Sequence, residues 1–250
     1  MTMTTLRALY EDPATTIASG RDRTVRQISM LTEIVRATGR PMRILDVGCG
    51  DGAATAQAAR ACPGHEVIGM DWSAEAVKRA RSLGLTVIQG SVDAPGLPLA
   101  DASVDVVVFS EIIEHLIDTD AALTELLRVL RPGGTLLLST PNLAAWFNRS
   151  LLLLGIQPLF SEVSLRAIHG RPGSEVVGHL HLFTRRALTS LLTTNGFHVN
   201  RIDGATYHDV PRGLKTLDRM FRRRASTAAI LLIAATKPHR PADPLKSGHR

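Results

Sequence analysis

Short apolar runs alternate with helix-forming segments through the first half of the chain. Four runs have the β-branched and aliphatic character of buried strands: Arg43–Val47, Glu66–Met70, Leu85–Gln89 and Val104–Phe109. Between them, Gly52–Ala61 is rich in alanine, and Ser73 can cap a helix that runs to Leu83. Strands that alternate with helices predict an α/β protein with a doubly wound, mainly parallel sheet.

The alternation continues in the second half. Leucines at helical spacing predict another helix: Leu123, Leu126, Leu127 and Leu130. The turn Pro132–Gly134 ends it, and Thr135–Thr140 reads as the next strand. A helix capped by Thr184 precedes two last strand candidates, Phe197–Ile202 and Ala228–Thr236. Ligands of such sheets bind beyond the carboxyl ends of the strands, so we expect the functional residues there.

Three stretches depart from this alternation. In residues 1–40, Val25, Ile28, Leu31 and Val35 lie at helical spacing, which predicts a helical cover over one edge of a domain at 41–237. The connection 142–178 is long and apolar at its start, which is typical of a lid or a substrate-binding insert. Residues 238–250 predict a flexible tail.

Composition narrows the class of protein. A length of 250 residues with 44% hydrophobic and 21% charged residues fits one globular domain. No apolar run approaches the ~20 residues of a membrane span, and no secretory signal is visible. Two cysteines, Cys49 and Cys62, give neither a disulfide framework nor a Cys₄ metal site. We therefore expect a cytoplasmic protein.

The net charge of +6 is concentrated at the C-terminal end, where residues 201–250 hold 11 Lys and Arg against 4 Asp and Glu. Such a bias is typical of contact with nucleic acid, anionic lipid or a phosphorylated substrate. No aromatic residues interleave with the charges and no nucleic-acid module is recognised. We therefore expect a solvated surface, with nucleic acid disfavoured as a partner and peripheral membrane contact left open.

A glycine-rich turn, Asp46–Gly52, joins the first strand to the first predicted sheet helix. Glycines there let a ligand lie against bare backbone, and the helix offers free N–H groups to a carboxylate. The spacing is G-x-G-x-G rather than the G-x-G-x-x-G of dinucleotide-binding folds. Asp46 would repel a pyrophosphate but suits an ammonium group, which counts against a dinucleotide-dependent oxidoreductase.

Two further acids follow the next two strands. Asp71, in GMDWS, stands about 20 residues after the turn, where an acid binds ribose hydroxyls in nucleotide-binding α/β folds. Trp72 beside it can pack against a base, and Asp93, in QGSVDA, can accept from an exocyclic amine. Any one of these acids also suits a cap or turn, but their succession after three strands favours a nucleoside site.

These segments resemble the motifs of class I S-adenosylmethionine-dependent methyltransferases. ILDVGCGDG is similar to the first motif, GMDWS to the ribose motif, the segment from Ser91 to Leu116 to the second and LRVLRPGGTLLLSTPN to the third. The resemblance covers Ala37–Gly204 and points to the ubiquinone-biosynthesis-type small-molecule subgroup. It implies a Rossmann-like sheet of seven strands in the order 3-2-1-4-5-7-6, with the last strand antiparallel.

The resemblance also implies a set of donor-binding residues. The methionyl part of S-adenosylmethionine would lie at Asp46, Gly48, Cys49 and Gly50, the nucleoside at Asp71, Trp72, Val92 and Asp93, and the methyl-transfer side at Ser110 and Glu111.

Glu111, Glu114 and His115 follow the fourth strand at a spacing that places them on one helical face. His115 is our catalytic candidate, a general base with a pKa near the ordinary ~6.5 of imidazole. The E-x-x-E-H pattern also resembles a Mg²⁺ motif of ubiquinone-biosynthesis and small-RNA methyltransferases, with His179 or His181 as a further ligand. Alternatively, the trio caps the helix and contacts the donor without a metal.

The segment HLHLFTRR resembles one that precedes strand six in related small-molecule methyltransferases. His179 either holds a substrate group or pairs with the backbone of the insert, and we favour the second. The insert can wall an apolar acceptor or pack as a helix over the sheet edge, while Arg166 and Arg171 read as surface charges.

The sequence thus predicts a methyltransferase that acts on an oxygen of a small or lipid-like metabolite. A nucleic-acid methyltransferase is the alternative, and a non-catalytic family member is disfavoured by the intact donor motif.

Overall fold

The computed structural model describes residues 21–93, 96–173, 176–207, 210 and 212–239. The first half of the predicted N-terminal cover, at 1–20, and most of the predicted tail, at 240–250, lie outside the described residues.

A single seven-stranded sheet organises the chain, in the order β3-β2-β1-β4-β5-β7-β6. Its strands are β1 (Arg43–Val47), β2 (Glu66–Asp71), β3 (Thr86–Gln89), β4 (Val104–Ser110), β5 (Leu130–Pro141), β6 (His198–Ala205) and β7 (Ile230–Thr236). β7 runs antiparallel to both neighbours, and the other pairs are parallel. The predicted α/β class, strand order and antiparallel last strand are confirmed.

Seven α-helices accompany the sheet among the described residues: α1 (Arg21–Thr38), α2 (Ala53–Ala61), α3 (Ala74–Ser82), α4 (Thr119–Val129), α5 (Trp146–Leu153), α6 (Arg185–Thr194) and α7 (Lys215–Phe221). Ser73 and Thr184 cap α3 and α6 as predicted, each accepting a backbone N–H three residues on. None of these helices has the length and apolar content that crossing a membrane requires.

The hydrophobic core lies on both faces of the sheet. On one face, Leu123 and Leu126 of α4 and Leu188 of α6 pack against β4, β5 and β7. On the other, Leu31 and Val35 of α1 join Ala58 of α2 over β1 and β5. Because β1 and β4 are covered on both faces, three of the five residues of β1 and five of the seven of β4 are apolar, as the hydrophobic runs predicted.

The inward face of α1 differs from the predicted one. Val25, placed in the apolar stripe, is 59% exposed, whereas the polar Gln27 is buried. Gln27 tolerates burial because its amide has partners: Oε1 accepts from Ser110 Oγ at 2.7 Å, and Nε2 donates to the carbonyl of Leu137 at 3.4 Å. The N-terminal helix therefore reaches the tip of β4.

The sequence did not predict the start of β5 or the helix α7. β5 begins at Leu130, so the predicted turn Pro132–Gly134 lies within an irregularly paired start of that strand, where Gly133 has a φ of 78°. The short helix α7 was not predicted, because its seven residues, three of them charged, are too few to show a clear apolar period.

Asp105 fixes the amino-terminal side of the sheet. Its carboxylate is 2% exposed and accepts from the backbone N of Arg43 at 2.8 Å, from Arg40 at 2.6 Å and from Arg131 at 2.7 Å. These donors lower the pKa of Asp105 against the opposing effect of burial, so the carboxylate stays ionised.

We expect Asp105→Ala to lower the free energy of unfolding by about 2–3 kcal/mol, because it leaves a buried N–H and two guanidinium groups without their shared acceptor. Denaturant unfolding measures the change. Asp101→Ala is the matched control, since that carboxylate is 79% exposed and, within the described part of the chain, forms an ion pair with Arg128 alone. Equal losses in the two variants would contradict the role of Asp105.

Candidate donor site and histidine cluster

The turn after β1 folds around three glycines in the left-handed region, with φ of 73° at Gly48, 55° at Gly50 and 83° at Gly52. A Cβ on Gly48 would come within 2.3 Å of Ile112 Cδ1, and one on Gly52 within 2.7 Å of Leu85 Cδ1. A Cβ on Gly50 would meet no atom within 4 Å. The turn is therefore packed at both ends and leaves open space beside Gly50.

Asp71, at the end of β2, ties this turn to the next helix. Its Oδ2 accepts from Gly50 N at 2.8 Å and its Oδ1 from Ser73 N at 2.9 Å. The side chain is buried, and burial raises its pKa against the opposing effect of these N–H donors. The sequence placed Gly50 and Asp71 in one site, and the structure joins them by a direct hydrogen bond.

Asp46, at the end of β1, is the second buried carboxylate of this region. Its Oδ2 accepts from Thr55 Oγ1 at 2.6 Å, and burial raises its pKa to about 6. The charge of Asp71 raises this pKa further, whereas that of Arg23 on α1 lowers it. Asp46 and Asp71 thus share one electrostatic environment, where a bound cation would favour the ionised form of both.

The remaining predicted donor residues lie in different surroundings. Cys49 turns its thiol into a small apolar cluster and lies near Gly69, where a Cβ would come within 2.9 Å of Sγ. Burial raises the pKa of this thiol, so it is protonated, and its Sγ donates to the carbonyl oxygen of Gly50 in the turn at 3.9 Å. Val92 is buried in the main core, and Trp72 is partly buried beside Asp71.

Asp93 is more exposed than the other two predicted acids. It lies beyond β3, where partial burial and the charge of Asp118 raise its pKa. Asp71 is not among the groups that shift it. Asp46 and Asp71 therefore influence each other through their charges, whereas the neighbouring acid that raises the pKa of Asp93 is Asp118.

Ser110 is the last residue of β4 and Glu111 follows it, and both are held by other elements. The Ser110 hydroxyl donates to Gln27, as described above, and the carboxylate of Glu111 accepts from Ser139 Oγ at 2.8 Å. Glu111 has a φ of 56°, a left-handed conformation that is uncommon for residues other than glycine. The backbone turns sharply at this residue instead of continuing into a helix.

The predicted shared helical face of Glu111, Glu114 and His115 is therefore wrong. The segment forms a single 3₁₀ turn, Ile113–His115, after the sharp bend at Glu111. Glu114 is fully buried and accepts from Thr140 Oγ1 at 2.9 Å through Oε2. Its Oε1 has no hydrogen-bond partner among the described residues, and burial raises its pKa, followed by the charge of Glu111.

His115 and His179 stand side by side, with ring centroids 4.7 Å apart. Nδ1 of His115 lies 3.1 Å from the carbonyl oxygen of Gly178, and Nδ1 of His179 lies 2.9 Å from that of Phe160. Because a carbonyl can only accept, each Nδ1 carries the proton and each Nε2 presents a lone pair. The favoured prediction, that His179 pairs with the backbone of the insert, is confirmed.

The pKa of His115 lies below the ordinary ~6.5 of imidazole that a general base was expected to have. Burial lowers it to about 3, and the charge of His179 adds to this effect. Burial also lowers the pKa of His179. Both rings are therefore neutral at physiological pH, and a group with a pKa about 3 is a weak general base.

Glu114, His115 and His179 form a cluster that can hold a metal ion, since one ligand atom from each lies within 4.8 Å of the others. Both histidines donate their other ring N–H to a backbone carbonyl, as metal-bound histidines commonly do. His181, the alternative downstream histidine, is outside this cluster; its backbone N donates to the carbonyl of Glu114 at 3.0 Å.

Glu162 and Arg171 brace the part of the insert that positions this cluster. The carboxylate of Glu162 accepts from the backbone N of Val177 at 2.6 Å and of Gly178 at 2.7 Å, next to His179. Arg171 pairs with it at 3.2 Å, and its side chain is 7% exposed. The prediction that Arg171 is a surface charge is therefore wrong, because its guanidinium neutralises a carboxylate that is inaccessible to solvent.

Comparison with known proteins finds similarity in the segment that contains the glycine-rich turn and most of β1–β5. Residues 45–138 match the family described as "Methyltransferase domain". A protein of Mycolicibacterium smegmatis named "Probable S-adenosylmethionine-dependent methyltransferase" is 43% identical over 109 residues, which are 43% of this chain and 40% of the relative. A ubiquinone biosynthesis O-methyltransferase of Rhizobium johnstonii is 34% identical over 105 residues, 40% of this chain and 42% of the relative.

The chain therefore matches about two fifths of the length of these relatives. The likeness of fold extends further. The crystal structure of a SAM-dependent methyltransferase from Methanosarcina mazei has a TM-score of 0.61 over 83% of this chain and 98% of its own, at 21% sequence identity.

The raised pKa of Asp46 predicts a pH dependence of donor affinity. If Asp46 binds the donor as the sequence predicts, its ionised carboxylate attracts the ammonium group, and protonation below about pH 6 removes that attraction. We expect the affinity for S-adenosylmethionine, measured by isothermal titration, to fall about tenfold from pH 7 to pH 5. Asp46→Asn should bind more weakly at pH 7 and show no such fall. A fall that persists in Asp46→Asn would assign it to another group.

Proposed function

We propose that this chain, which contains a class I S-adenosylmethionine-dependent methyltransferase domain, transfers the donor's methyl group to an oxygen of a small or lipid-like metabolite. The observation that carries the donor half is the bond from Gly50 N to Asp71, beside the open space at Gly50 and the carboxylate of Asp46. The acceptor half draws support from the apolar insert and from the polar cluster beyond β4.

The donor would lie across the carboxyl ends of β1 and β2. In the proposed pose, the methionyl part lies along Gly48 and Gly50 near Asp46, and the ribose hydroxyls donate to Asp71. Because Asp71 already accepts from Gly50 N and Ser73 N, its position is fixed before the donor arrives. Binding then loses little side-chain entropy at this residue.

Methyl transfer depends more on the alignment of the reacting atoms than on chemical catalysis by protein side chains. A lone pair of the acceptor oxygen attacks the sulfonium methyl carbon, and the carbon–sulfur bond breaks with its electrons passing to sulfur. The products are the methylated acceptor, S-adenosylhomocysteine and the proton that the acceptor hydroxyl releases. The enzyme contributes by holding the oxygen, carbon and sulfur in line.

Three aromatic side chains of the insert and of the segment after β6 are suited to hold an apolar acceptor. Phe160 packs edge-on against Tyr207 with ring centroids 4.9 Å apart, and Phe147 lies 6.3 Å from Tyr207. His179 also contacts Phe160, at 6.1 Å between ring centroids. The apolar rings therefore adjoin the histidine cluster, an arrangement that fits a hydroxyl on an aromatic or aliphatic body.

We further propose that Glu114, His115 and His179 hold a divalent cation. Two neutral imidazoles and one carboxylate suit a transition-metal ion such as Zn²⁺, Fe²⁺ or Co²⁺, whereas Mg²⁺ prefers oxygen ligands, so the donor set does not fit the predicted Mg²⁺. The unpartnered Oε1 of Glu114 supports this proposal, because a buried carboxylate oxygen without a donor is costly. A bound cation would orient a hydroxyl acceptor and lower its pKa.

Replacement of Asp71 tests the donor half. Asp71→Ala should weaken S-adenosylmethionine binding by about a hundredfold or more, since it removes the ribose acceptor and releases Gly50. Isothermal titration measures the affinity, and circular dichroism checks that the variant is folded. Asp51→Ala is the control, because Asp51 is exposed and bonds only to Ala53 N among the described residues. Unchanged affinity in folded Asp71→Ala would remove the basis of the proposal.

Replacement of His115 tests the cluster. His115→Ala should abolish the visible d–d absorption of bound Co²⁺ and most methyl transfer, while the affinity for S-adenosylmethionine stays within about twofold because His115 lies outside the donor turn. Transfer is followed with methyl-labelled donor on a panel of phenolic and lipid hydroxyl compounds. His181→Ala, a histidine outside the cluster, should keep the absorption. Equal Co²⁺ spectra for the two variants would refute the metal proposal.

A further inference from the structure

Three consecutive leucines at the end of α5 face solvent. Leu152, Leu153 and Leu154 are 56%, 88% and 73% exposed, and we call them the apolar tip. Single exposed apolar residues are common on folded proteins, whereas a contiguous group marks a surface that contacts something else. The leucines end a helix of the insert, so they project from the sheet domain.

Four arginines converge on a cavity of about 310 Å³ at the free edge of β6. They are Arg26 of α1, Arg201 of β6, and Arg222 and Arg223 at the end of α7; we call this space the arginine cavity. Arginines from three separate elements line this space, and several guanidinium groups around one site can bind phosphate oxygens.

Carboxylates hold three of these arginines in place. Asp22 pairs with both Arg26 and Arg222, each at 3.1 Å. Arg201 is held by Glu33 and by Asp203, each at 2.7 Å.

Arg223, by contrast, is exposed and has no carboxylate partner among the described residues. Four arginines and three carboxylates therefore surround the cavity and leave it a net positive charge, and the carboxylates orient three of the guanidinium groups.

The apolar tip and the arginine cavity belong to elements that are packed together. The ring of Trp146, the first residue of α5, stacks on Phe221, the last of α7, with centroids 5.6 Å apart. Trp146 Nε1 also donates to Asp218 at 2.9 Å. Halfway along α5, Arg149 donates to the carbonyl of Ser226 at 3.1 Å. The helix that ends in the tip is therefore anchored on the segment that lines the cavity.

The surface of α7 continues the same chemistry. Lys215, Arg219 and Arg224 are exposed and have no carboxylate partners among the residues that the structure describes, and Met220 between them is 54% exposed. Exposed cationic residues therefore lie on both sides of Met220 along the segment 215–224, which packs against the start of α5 and supplies two of the arginines that line the cavity.

We propose that this face docks on a membrane that contains anionic phospholipid. The apolar tip inserts among the acyl chains, while the arginine cavity and α7 bind the headgroup phosphates. Two independent observations, exposed leucines and converging guanidiniums, point to the same occupant. A nucleic acid would satisfy the charges but leave the leucines in water. The proposal goes beyond the methyl transfer proposed above and does not depend on donor binding.

Flotation of the full chain with lipid vesicles tests this proposal. We expect binding to vesicles of phosphatidylcholine with phosphatidylglycerol, weaker binding to phosphatidylcholine alone, and a loss as salt is raised. Leu152→Ser/Leu153→Ser should raise the half-saturating lipid concentration about tenfold, since it removes inserted side chains. Arg223→Ala should raise it about fivefold.

Matched variants separate this face from general surface properties. Leu83→Ser alters a leucine that is 55% exposed at the end of α3, and Arg60→Ala removes an exposed charge from α2. Neither should change vesicle binding. Donor affinity is measured in parallel on every variant, so failure of vesicle binding is distinguishable from failure of the proposed function.

Three outcomes would overturn the proposal. One is wild-type protein that does not float with anionic vesicles. Another is an equal effect of the control variants. The third is a different occupant: binding of single-stranded RNA that depends on Arg223 without vesicle binding would assign the face to nucleic acid. A dimer that dissociates in Leu152→Ser/Leu153→Ser would assign the tip to a second copy of the chain.

Discussion

The hydrogen bond from Gly50 N to the carboxylate of Asp71 fixes the geometry on which the donor site depends. It joins the turn after β1 to the end of β2, and the second oxygen of the same carboxylate starts α3 through Ser73 N. A buried carboxylate is tolerated only with such donors, so the turn and Asp71 each require the other. The left-handed φ of three glycines allows the turn to present its N–H groups this way.

Buried carboxylates beyond β4 also need hydrogen-bond donors, but there the need is only partly met. Glu162 satisfies three backbone N–H groups from Val177 to His179 and so positions the carbonyl and the ring that face His115. The cluster keeps one polar atom, Oε1 of Glu114, without a partner among the described residues. Structures rarely leave such an atom in a dry environment, which is why this cluster rather than the bend at Glu111 suggests a bound ion.

Local patterns were enough to predict most strands and the glycine-rich turn, whereas the order of the strands came from the resemblance to the methyltransferase motifs. β1 was predicted to the residue, and the caps at Ser73 and Thr184 are where side-chain chemistry placed them. The long-range partners were beyond such patterns. Nothing in the sequence near Glu162 indicates that its carboxylate is enclosed by residues some fifteen positions away.

Gln27 is an intermediate case. It interrupts the apolar stripe of α1 at a position that must face inward, and a polar residue there signals a buried partner. The partner itself, Ser110, is 83 residues distant and emerges only from the fold. The prediction for Glu111 is wrong for another reason. Its spacing to Glu114 suits a helix, but the left-handed φ at Glu111 turns the backbone sharply, so the two residues do not share a helix.

The burial of Cys49 has a practical consequence for experiments on this protein. Its thiol is packed into a small apolar cluster, Cys62 is equally enclosed, and burial raises the pKa of both. Because alkylating reagents attack the thiolate, the native thiols resist labelling under mild conditions. A fluorophore or spin label can then be attached to one introduced surface cysteine without first removing the natural ones, which leaves the glycine turn intact for distance measurements.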